Sequence, residues 1–186
     1  MKSFLLVAIL FPALAVADEW GLGLRATGEQ VQSHDDGSDA IGMAGGGLLV
    51  RWRLSERWGL ELDLDGMSGK LAGGAFERKT SALGLTGSFH LTPGSRWDLY
   101  LLLGIGGVSD KVTFEDVMGQ SVEQEFKETE VRLGVGLEYR WRHIGLGAEV
   151  AAVGLARNDG DAAVAGDAVP KTSGGGQWSL VFGYYF

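Results

Sequence analysis

The 186-residue sequence contains no cysteine, which excludes a disulfide framework, thiolate chemistry and a cysteine-based metal site. Basic residues are also scarce, because 16 Lys and Arg stand against 24 Asp and Glu and the formal net charge is −8. Binding to nucleic acid needs a basic surface, so this balance argues against a nucleic-acid partner. Beyond the N-terminus, no apolar run approaches the roughly 20 residues that a membrane-spanning helix needs. If the chain enters a membrane, it must do so as a closed barrel, in which backbone groups bond between strands.

The N-terminal segment has the three features of a secretory signal. Lys2 supplies the positive start, residues 4–11 form an apolar run, and Ala15-Val16-Ala17 is a small-residue cleavage site. The apolar run is too short to anchor the chain in a membrane as a spanning helix. We therefore expect residues 1–17 to be removed on export and residues 18–186 to form a single domain.

Large apolar residues alternate with small or polar ones in eight segments. This period of two predicts β-strands, because successive side chains of a strand point to opposite faces. The pattern is clearest in the third segment, where four large apolar residues oppose one glycine and three acids. These are Trp58, Leu60, Leu62 and Leu64 against Gly59, Glu61, Asp63 and Asp65.

The predicted connections alternate between long and short. Short turns are expected near Ser55, Pro93 and Arg142, and in the second of them Gly94 admits a positive φ. Four long loops are expected between the remaining strands. They comprise residues 33–39, Gly66 to Phe76, an acidic connection with Asp110, Glu115, Asp116, Glu123, Glu125 and Glu128, and Arg157 to Gly176.

The last predicted strand has one large apolar and aromatic face and ends on an aromatic residue. This face consists of Trp178, Leu180, Phe182, Tyr184 and Phe186. Here the sequence resembles the small outer-membrane β-barrel family of OmpA/OmpX-like eight-stranded barrels, and the resemblance covers essentially the whole chain after the signal. It implies an all-β fold, namely an eight-stranded antiparallel up-and-down transmembrane barrel with short periplasmic turns and long extracellular loops.

The resemblance also implies a location and partners. The protein is expected in the cell outer membrane, exported through the periplasm and in contact with outer-membrane lipids and lipopolysaccharide. The last strand typically ends in Phe in this family. We therefore expect Phe182, Tyr184 and Phe186 to act as a C-terminal assembly signal for the barrel-assembly machinery.

The tryptophans are expected to form a girdle at the membrane–water interface, where this residue type is enriched. Five of them fall at the predicted periplasmic ends of strands, and the sixth lies at the opposite end. They are Trp20, Trp52, Trp58, Trp97 and Trp141, with Trp178 opposite.

The inward faces of the predicted strands carry charges of both signs and many glycines. The interior of an eight-stranded barrel is only wide enough for side chains to fill. Opposite charges should pair there, because an isolated buried charge is costly. The predicted network comprises Arg25, Arg51, Arg53, Arg132 and Arg140 with Glu61, Asp63, Asp65, Asp98, Glu138 and Glu149. It predicts a plugged lumen with a structural role or, alternatively, a narrow or gated ion path.

No catalytic residues or cofactor site are predicted. A lipid-modifying barrel enzyme would need Ser, His and a carboxylate together on the lipid-facing side near the outer leaflet. His90 and His143 instead fall near the periplasmic rim. His34 lies beside Ser33 and Asp35, but neighbours in a loop do not create that geometry.

No specific metal site is predicted either. Residues 35–39 and 158–161 supply the oxygen ligands that Ca²⁺ uses, but without the spacing of a known calcium loop. Turn chemistry explains both segments. Weak bridging of such acids to lipid phosphates through divalent ions is the alternative.

Three functions remain open. The first is a non-enzymatic outer-membrane scaffold or surface protein with a charge-plugged lumen and exposed loops. The second is a small or gated porin-like channel, and the third is a lipid-modifying barrel enzyme. A soluble lipocalin-like barrel would instead turn the large apolar face inward around a ligand, which the tryptophans and the terminal Phe186 argue against.

Overall fold

The computed structural model describes residues 19–33, 41–70, 76–115, 120–157 and 172–186. They form β1 (Glu19–Ser33), β2 (Ile41–Arg53), β3 (Trp58–Lys70), β4 (Phe76–His90), β5 (Trp97–Glu115), β6 (Ser121–Trp141), β7 (Ile144–Arg157) and β8 (Thr172–Tyr185). The predicted signal at 1–17, His34 and the acidic segments 35–39 and 158–161 lie outside the described residues. In the part of the chain that is described, no helix is long and apolar enough to cross a membrane.

The eight strands form one closed barrel in which each strand pairs antiparallel with its sequence neighbour and β8 pairs with β1. This confirms the predicted all-β, up-and-down barrel. Cross-strand pairing links Gly21 of β1 to Arg51 of β2. When the pairing is followed from strand to strand around the barrel, it returns to β1 at Val31, which is 10 residues from Gly21. Such a stagger requires the strands to tilt relative to the barrel axis.

Large apolar side chains cover the outside of the barrel. Every strand contributes at least one that is exposed, and examples from β1 to β8 are Leu24, Leu48, Leu64, Leu83, Leu103, Leu133, Val150 and Leu180. An apolar surface of this extent suits a lipid environment. The soluble lipocalin-like arrangement, which would have turned this face inward, is therefore wrong.

The short turns lie at one end of the barrel, together with the start of β1 and the end of β8. They occupy residues 54–57, 91–96 and 142–143, close to the predicted positions. Gly94 has a φ of 76°, as the turn chemistry predicted. We call this end the turn end and the opposite end the loop end.

Three of the four long loops predicted at the loop end are shorter than expected, because the strands continue. β3 extends to Lys70, and β8 already begins at Thr172. The acidic connection between the fifth and sixth strands was wrongly assigned as a loop, since β5 runs to Glu115 and β6 starts at Ser121. The inward positions of this hairpin include Val112 and bury apolar as well as acidic residues. The loop was predicted because the outward-facing side chains of this stretch have low hydropathy.

Candidate functional site in the barrel lumen

Arg51, on β2, binds carboxylates from three other strands inside the lumen. Its Nη1 donates to Glu138 Oε2 at 2.7 Å and its Nη2 to Glu149 Oε1 at 2.6 Å. Its Nε donates to Glu61 Oε2. These partners belong to β6, β7 and β3 respectively, so one guanidinium group links opposite walls of the barrel.

Arg25, on β1, shares two of these carboxylates. Its Nη2 lies 3.3 Å from Glu149 Oε2 and also donates to Glu61, while its Nη1 lies 3.2 Å from Asp65 Oδ2. The side chains of Arg25 and Asp65 are almost fully buried. Because Glu61 and Glu149 each bind two arginines, the pairs form a connected network rather than separate bridges.

Arg132, on β6, extends the network toward the loop end. Its Nη2 lies 3.0 Å from Asp63 Oδ2 and its Nε lies 2.9 Å from Glu130 Oε1. A glycine leaves the space for this contact, because a Cβ on Gly84 would lie 2.5 Å from both Arg132 Nη2 and Asp63 Oδ2. Glu130 was not among the predicted members of the network.

Two tyrosine hydroxyl groups complete the central network. Tyr100 donates to Glu149 Oε1 at 2.7 Å, and Tyr185 donates to Glu138 Oε2 at 2.6 Å. The ring of Tyr100 occupies the space beside Gly136, where a Cβ would overlap it. Alternation places both tyrosines on the inner face, but their partners depend on the strand register.

Two more arginines bind acids at the turn end. Arg53 Nη2 donates to Asp98 Oδ2 at 2.5 Å. Arg140 donates from Nε to Glu138 Oε1 and from Nη1 to Glu19 Oε2, both at 2.5 Å. The structure thus places all 11 residues of the predicted network inside the barrel, each with at least one partner of opposite charge. Whether they act as a functional site stays a prediction.

A histidine contacts the acid that binds Arg53. His90 Nδ1 lies 2.9 Å from Asp98 Oδ2, and His90 Nε2 lies 3.1 Å from Ser88 Oγ. The sequence pattern placed His90 near this rim but did not connect it with either partner. The other rim histidine, His143, has Nδ1 2.9 Å from the Tyr185 carbonyl oxygen.

A cavity of about 40 Å³ lies within the network, in the turn-end half of the barrel. This volume admits a few water molecules, and polar groups suited to bind them surround it. The charged residues that line it are Arg25, Arg51, Arg53, Arg132 and Arg140 with Glu61, Glu138 and Glu149.

Apolar side chains fill the lumen on the loop side of this network. On β3, Met67 follows Asp65 at the next inward position, which marks the change from charged to apolar. Six strands contribute to this apolar cluster, which comprises Val31, Met43, Met67, Ala82, Val108, Val153 and Leu155.

A second polar group that the sequence pattern did not reveal lies at the loop end. Arg78 Nη2 lies 3.1 Å from Glu128 Oε2 and also binds Asp110. Gln177 Nε2 donates to Glu29 Oε2 at 3.1 Å. Asp110 and Glu128 had been assigned to a loop, and continuing the period of two through that stretch would have placed both inside the barrel.

Five of the six tryptophans are 43–58% exposed on the outer surface: Trp20, Trp58, Trp97, Trp141 and Trp178. Trp52 departs from the expectation, because it is only 6% exposed. In the register it is paired with Trp20 on β1 and with Leu60 on β3. An interfacial role for the other five stays a prediction.

Phe186, which follows β8, packs against the start of β1. Phe186 stacks on Trp20 with ring centroids 4.2 Å apart, and its backbone N donates to the Trp20 carbonyl oxygen at 2.9 Å. Phe182, Tyr184 and Phe186 all lie exposed on the outer face. Recognition of this face by the assembly machinery stays a prediction.

No group of three or more His, Asp or Glu side chains suited to a metal ion occurs within the described ranges. The carboxylates of the central network are instead directed at arginines. The carboxylates of the described lumen are therefore engaged in ion pairs.

A closed antiparallel barrel with an apolar exterior and an ion-paired interior defines a transmembrane β-barrel of the outer-membrane type. Residues 3–186 match the model of the outer membrane protein beta-barrel domain, and the chain belongs to this family. The resemblance seen in the last strand is confirmed, and the protein is located in the outer membrane.

Solved structures of small outer-membrane barrels share the fold. Ail, the attachment invasion locus protein of Yersinia pestis, is 17% identical, with 90% of this chain and 98% of that chain covered and a TM-score of 0.59. Neisserial surface protein A is 16% identical, with 90% and 97% covered and a TM-score of 0.57. The N-terminal barrel of Pseudomonas aeruginosa OprF is 14% identical, with 89% and 97% covered and a TM-score of 0.54. No curated protein matches the sequence significantly. At these identities the similarity shows the fold alone.

Proposed function

We propose that this protein is a non-enzymatic scaffold and surface protein of the outer membrane, with a lumen plugged by its own charged side chains. The observation that carries the proposal is the position of Arg51, which binds Glu138 at 2.7 Å and Glu149 at 2.6 Å across the barrel. A side chain held from opposite walls occupies the path that a solute would have to take.

Two further features favour a closed lumen. The cavity within the network measures only about 40 Å³, which is room for water but not for a continuous pore. The apolar cluster that includes Met43 and Met67 lies beyond it on the loop side. An ion would lose its hydration in such a layer, which opposes conduction.

The surface role is assigned to the loop end. β5 and β6 have 19 and 21 residues, whereas the other strands have 13–15. At about 3.3 Å per residue, the hairpin of β5 and β6 therefore rises above its neighbours. Among the described residues, this hairpin is the proposed contact surface for an external partner, and the scaffold role itself includes no reaction.

Partners are proposed from the outer face of the barrel. The exposed apolar side chains would contact outer-membrane lipids, and the loop end would contact lipopolysaccharide in the outer leaflet. The exposed aromatic face that ends in Phe186 would engage the barrel-assembly machinery. The net charge of −8 argues against a nucleic-acid partner.

A small or gated channel is the second candidate function. It is favoured by the charged lining of the cavity, because rearranged ion pairs would expose a polar path. The two candidates predict different currents through the same protein.

Single-channel conductance of refolded residues 18–186 in a planar bilayer tests the proposal. We expect no current steps, in a bilayer shown to be competent by later addition of a channel-forming peptide. Insertion is verified separately by a heat-dependent shift in gel mobility. Discrete, repeatable steps would contradict the plugged lumen and support the channel.

A further inference from the structure

Three side chains at the turn-end rim are linked in series by hydrogen bonds. Ser88 Oγ lies 3.1 Å from His90 Nε2, and His90 Nδ1 lies 2.9 Å from Asp98 Oδ2. Ser88 and His90 share the inner face of β4 because they are two residues apart, and Asp98 lies on the inner face of the adjacent β5. A nucleophile, a base and an orienting carboxylate are joined in this order in serine hydrolases.

A glycine makes the contact between serine and histidine possible. Gly59 of β3 pairs with Ser88 in the register. A Cβ on Gly59 would collide with Ser88 Oγ and would lie 3.1 Å from His90 Nε2. The space around this pair is therefore maintained by the backbone of the neighbouring strand.

Arg53 holds the carboxylate that orients the histidine. Its Nη2 donates to Asp98 Oδ2 at 2.5 Å and lies 3.1 Å from His90 Nδ1. When Nδ1–H donates to Asp98, Nε2 is unprotonated and accepts the hydroxyl hydrogen of Ser88. This is the tautomer that a general base requires.

The site is reached from the turn end, which faces the periplasm in this class of barrel. Ser88 and His90 line the cavity of about 40 Å³, and Ser88 is half-buried rather than enclosed. His90 is the last residue of β4, and its backbone N bonds the Arg57 carbonyl oxygen in the neighbouring turn. A cavity of this size has no room for a long acyl chain.

We infer that Ser88 is an activated nucleophile that takes the acyl group of a short-chain carboxylic ester arriving from the periplasm. His90 removes the hydroxyl proton as Ser88 Oγ bonds the ester carbon, and the ester C–O bond then breaks. The alcohol leaves with the proton from His90. Water attacks the acyl group in the same way, releases the acid and returns the proton to Ser88. Ser88 and His90 are the catalytic residues, and Asp98 and Arg53 are positioning residues.

This activity goes beyond the scaffold role and does not rest on it, and if it is found it replaces the non-enzymatic part of the proposed function. An inert Ser88 would leave the proposed lumen plug unchanged, and a conducting lumen would leave the chemistry of the rim unchanged. Failure of the lumen plug and failure of the esterase activity can therefore be told apart.

Covalent labelling of the refolded barrel with a small dialkyl fluorophosphate tests the inference, and hydrolysis of p-nitrophenyl acetate is followed in parallel. We expect one phosphoryl adduct, located on Ser88 by peptide mass spectrometry, with none on Ser88→Ala. His90→Gln should slow labelling by about 100-fold, the usual contribution of a positioned base. Ser55→Ala, which alters a serine of a periplasmic turn, is the matched control and should label like the unaltered protein.

Positioning is tested with Asp98→Asn, which should slow labelling, and with Asp98→Glu, which should partly restore it. Gly59→Ala keeps Ser88, His90 and Asp98 but displaces the Ser88 side chain, and it should also slow labelling. The heat-dependent mobility shift shows that each variant is folded. The inference is overturned if folded protein gives no adduct on Ser88, or if His90→Gln labels as fast as the unaltered protein.

Discussion

Arg51 Nη1 and Glu138 Oε2 lie 2.7 Å apart, although their strands, β2 and β6, stand on opposite walls of the barrel. Because Arg51 also binds Glu61 and Glu149, its loss deprives three buried carboxylates of a cation. Removing one partner of a buried ion pair costs about 3–5 kcal/mol. This relationship leads to the first prediction.

Arg51→Met is expected to lower the free energy of unfolding by about 3 kcal/mol, because the remaining arginines neutralise the acids only in part. Urea-driven unfolding in lipid vesicles measures the change. Arg57→Met, at an exposed position of a short turn, is the control and should change stability by less than about 0.5 kcal/mol. Equal losses in the two variants would show that the network does not stabilise the barrel.

Gly136→Ala and Gly154→Ala are expected to have different effects. A Cβ on Gly136 would overlap the ring of Tyr100, whereas one on Gly154 would meet nothing within 4 Å. Gly136→Ala should destabilise the barrel by about 1–3 kcal/mol, the usual cost of overpacking. Gly154→Ala should be neutral or stabilising by up to about 1 kcal/mol, since alanine is less flexible when unfolded. The same unfolding assay decides, and a destabilisation of equal size at both positions would contradict the packing argument.

Phe186→Ala removes the ring stacked on Trp20 at 4.2 Å. In refolding without other proteins it should cost about 1 kcal/mol beyond the lost apolar area. Tyr139→Ala is the matched control, because it removes the contact of Tyr139 with Trp97 at 4.9 Å, also at the turn end, without touching the last strand. If the assembly machinery reads the last strand, only Phe186→Ala will reduce the amount in the outer membrane of cells. Equal reductions would argue against an assembly signal.

The lumen is expected to contain two barriers in series, the ion-pair network and the apolar cluster. Arg51→Met alone should remain silent in planar bilayers, and so should Met43→Ser with Met67→Ser, because each leaves the other barrier intact. The variant that combines all three substitutions should conduct. Steps from Arg51→Met alone would show that the charges are the sole barrier.

The sequence by itself determined the number of strands and the face of most side chains. Glu61, Asp63 and Asp65 alternate with leucines, and that local period is enough to place all three inside the barrel. It failed where hydropathy was low, since Asp110 and Glu128 were assigned to a loop although their strands continue. It also gave no sign that Trp52 is only 6% exposed, because alternation assigns a face but does not show what covers it.

Only the tertiary structure decided which of these side chains meet. Arg25 and Glu149 are separated by 124 residues but lie 3.3 Å apart, and Ser88, His90 and Asp98 come into line through the pairing of β4 with β5. The physical reason is that alternation sets the face of a residue, whereas strand register and barrel closure set its height and its neighbours.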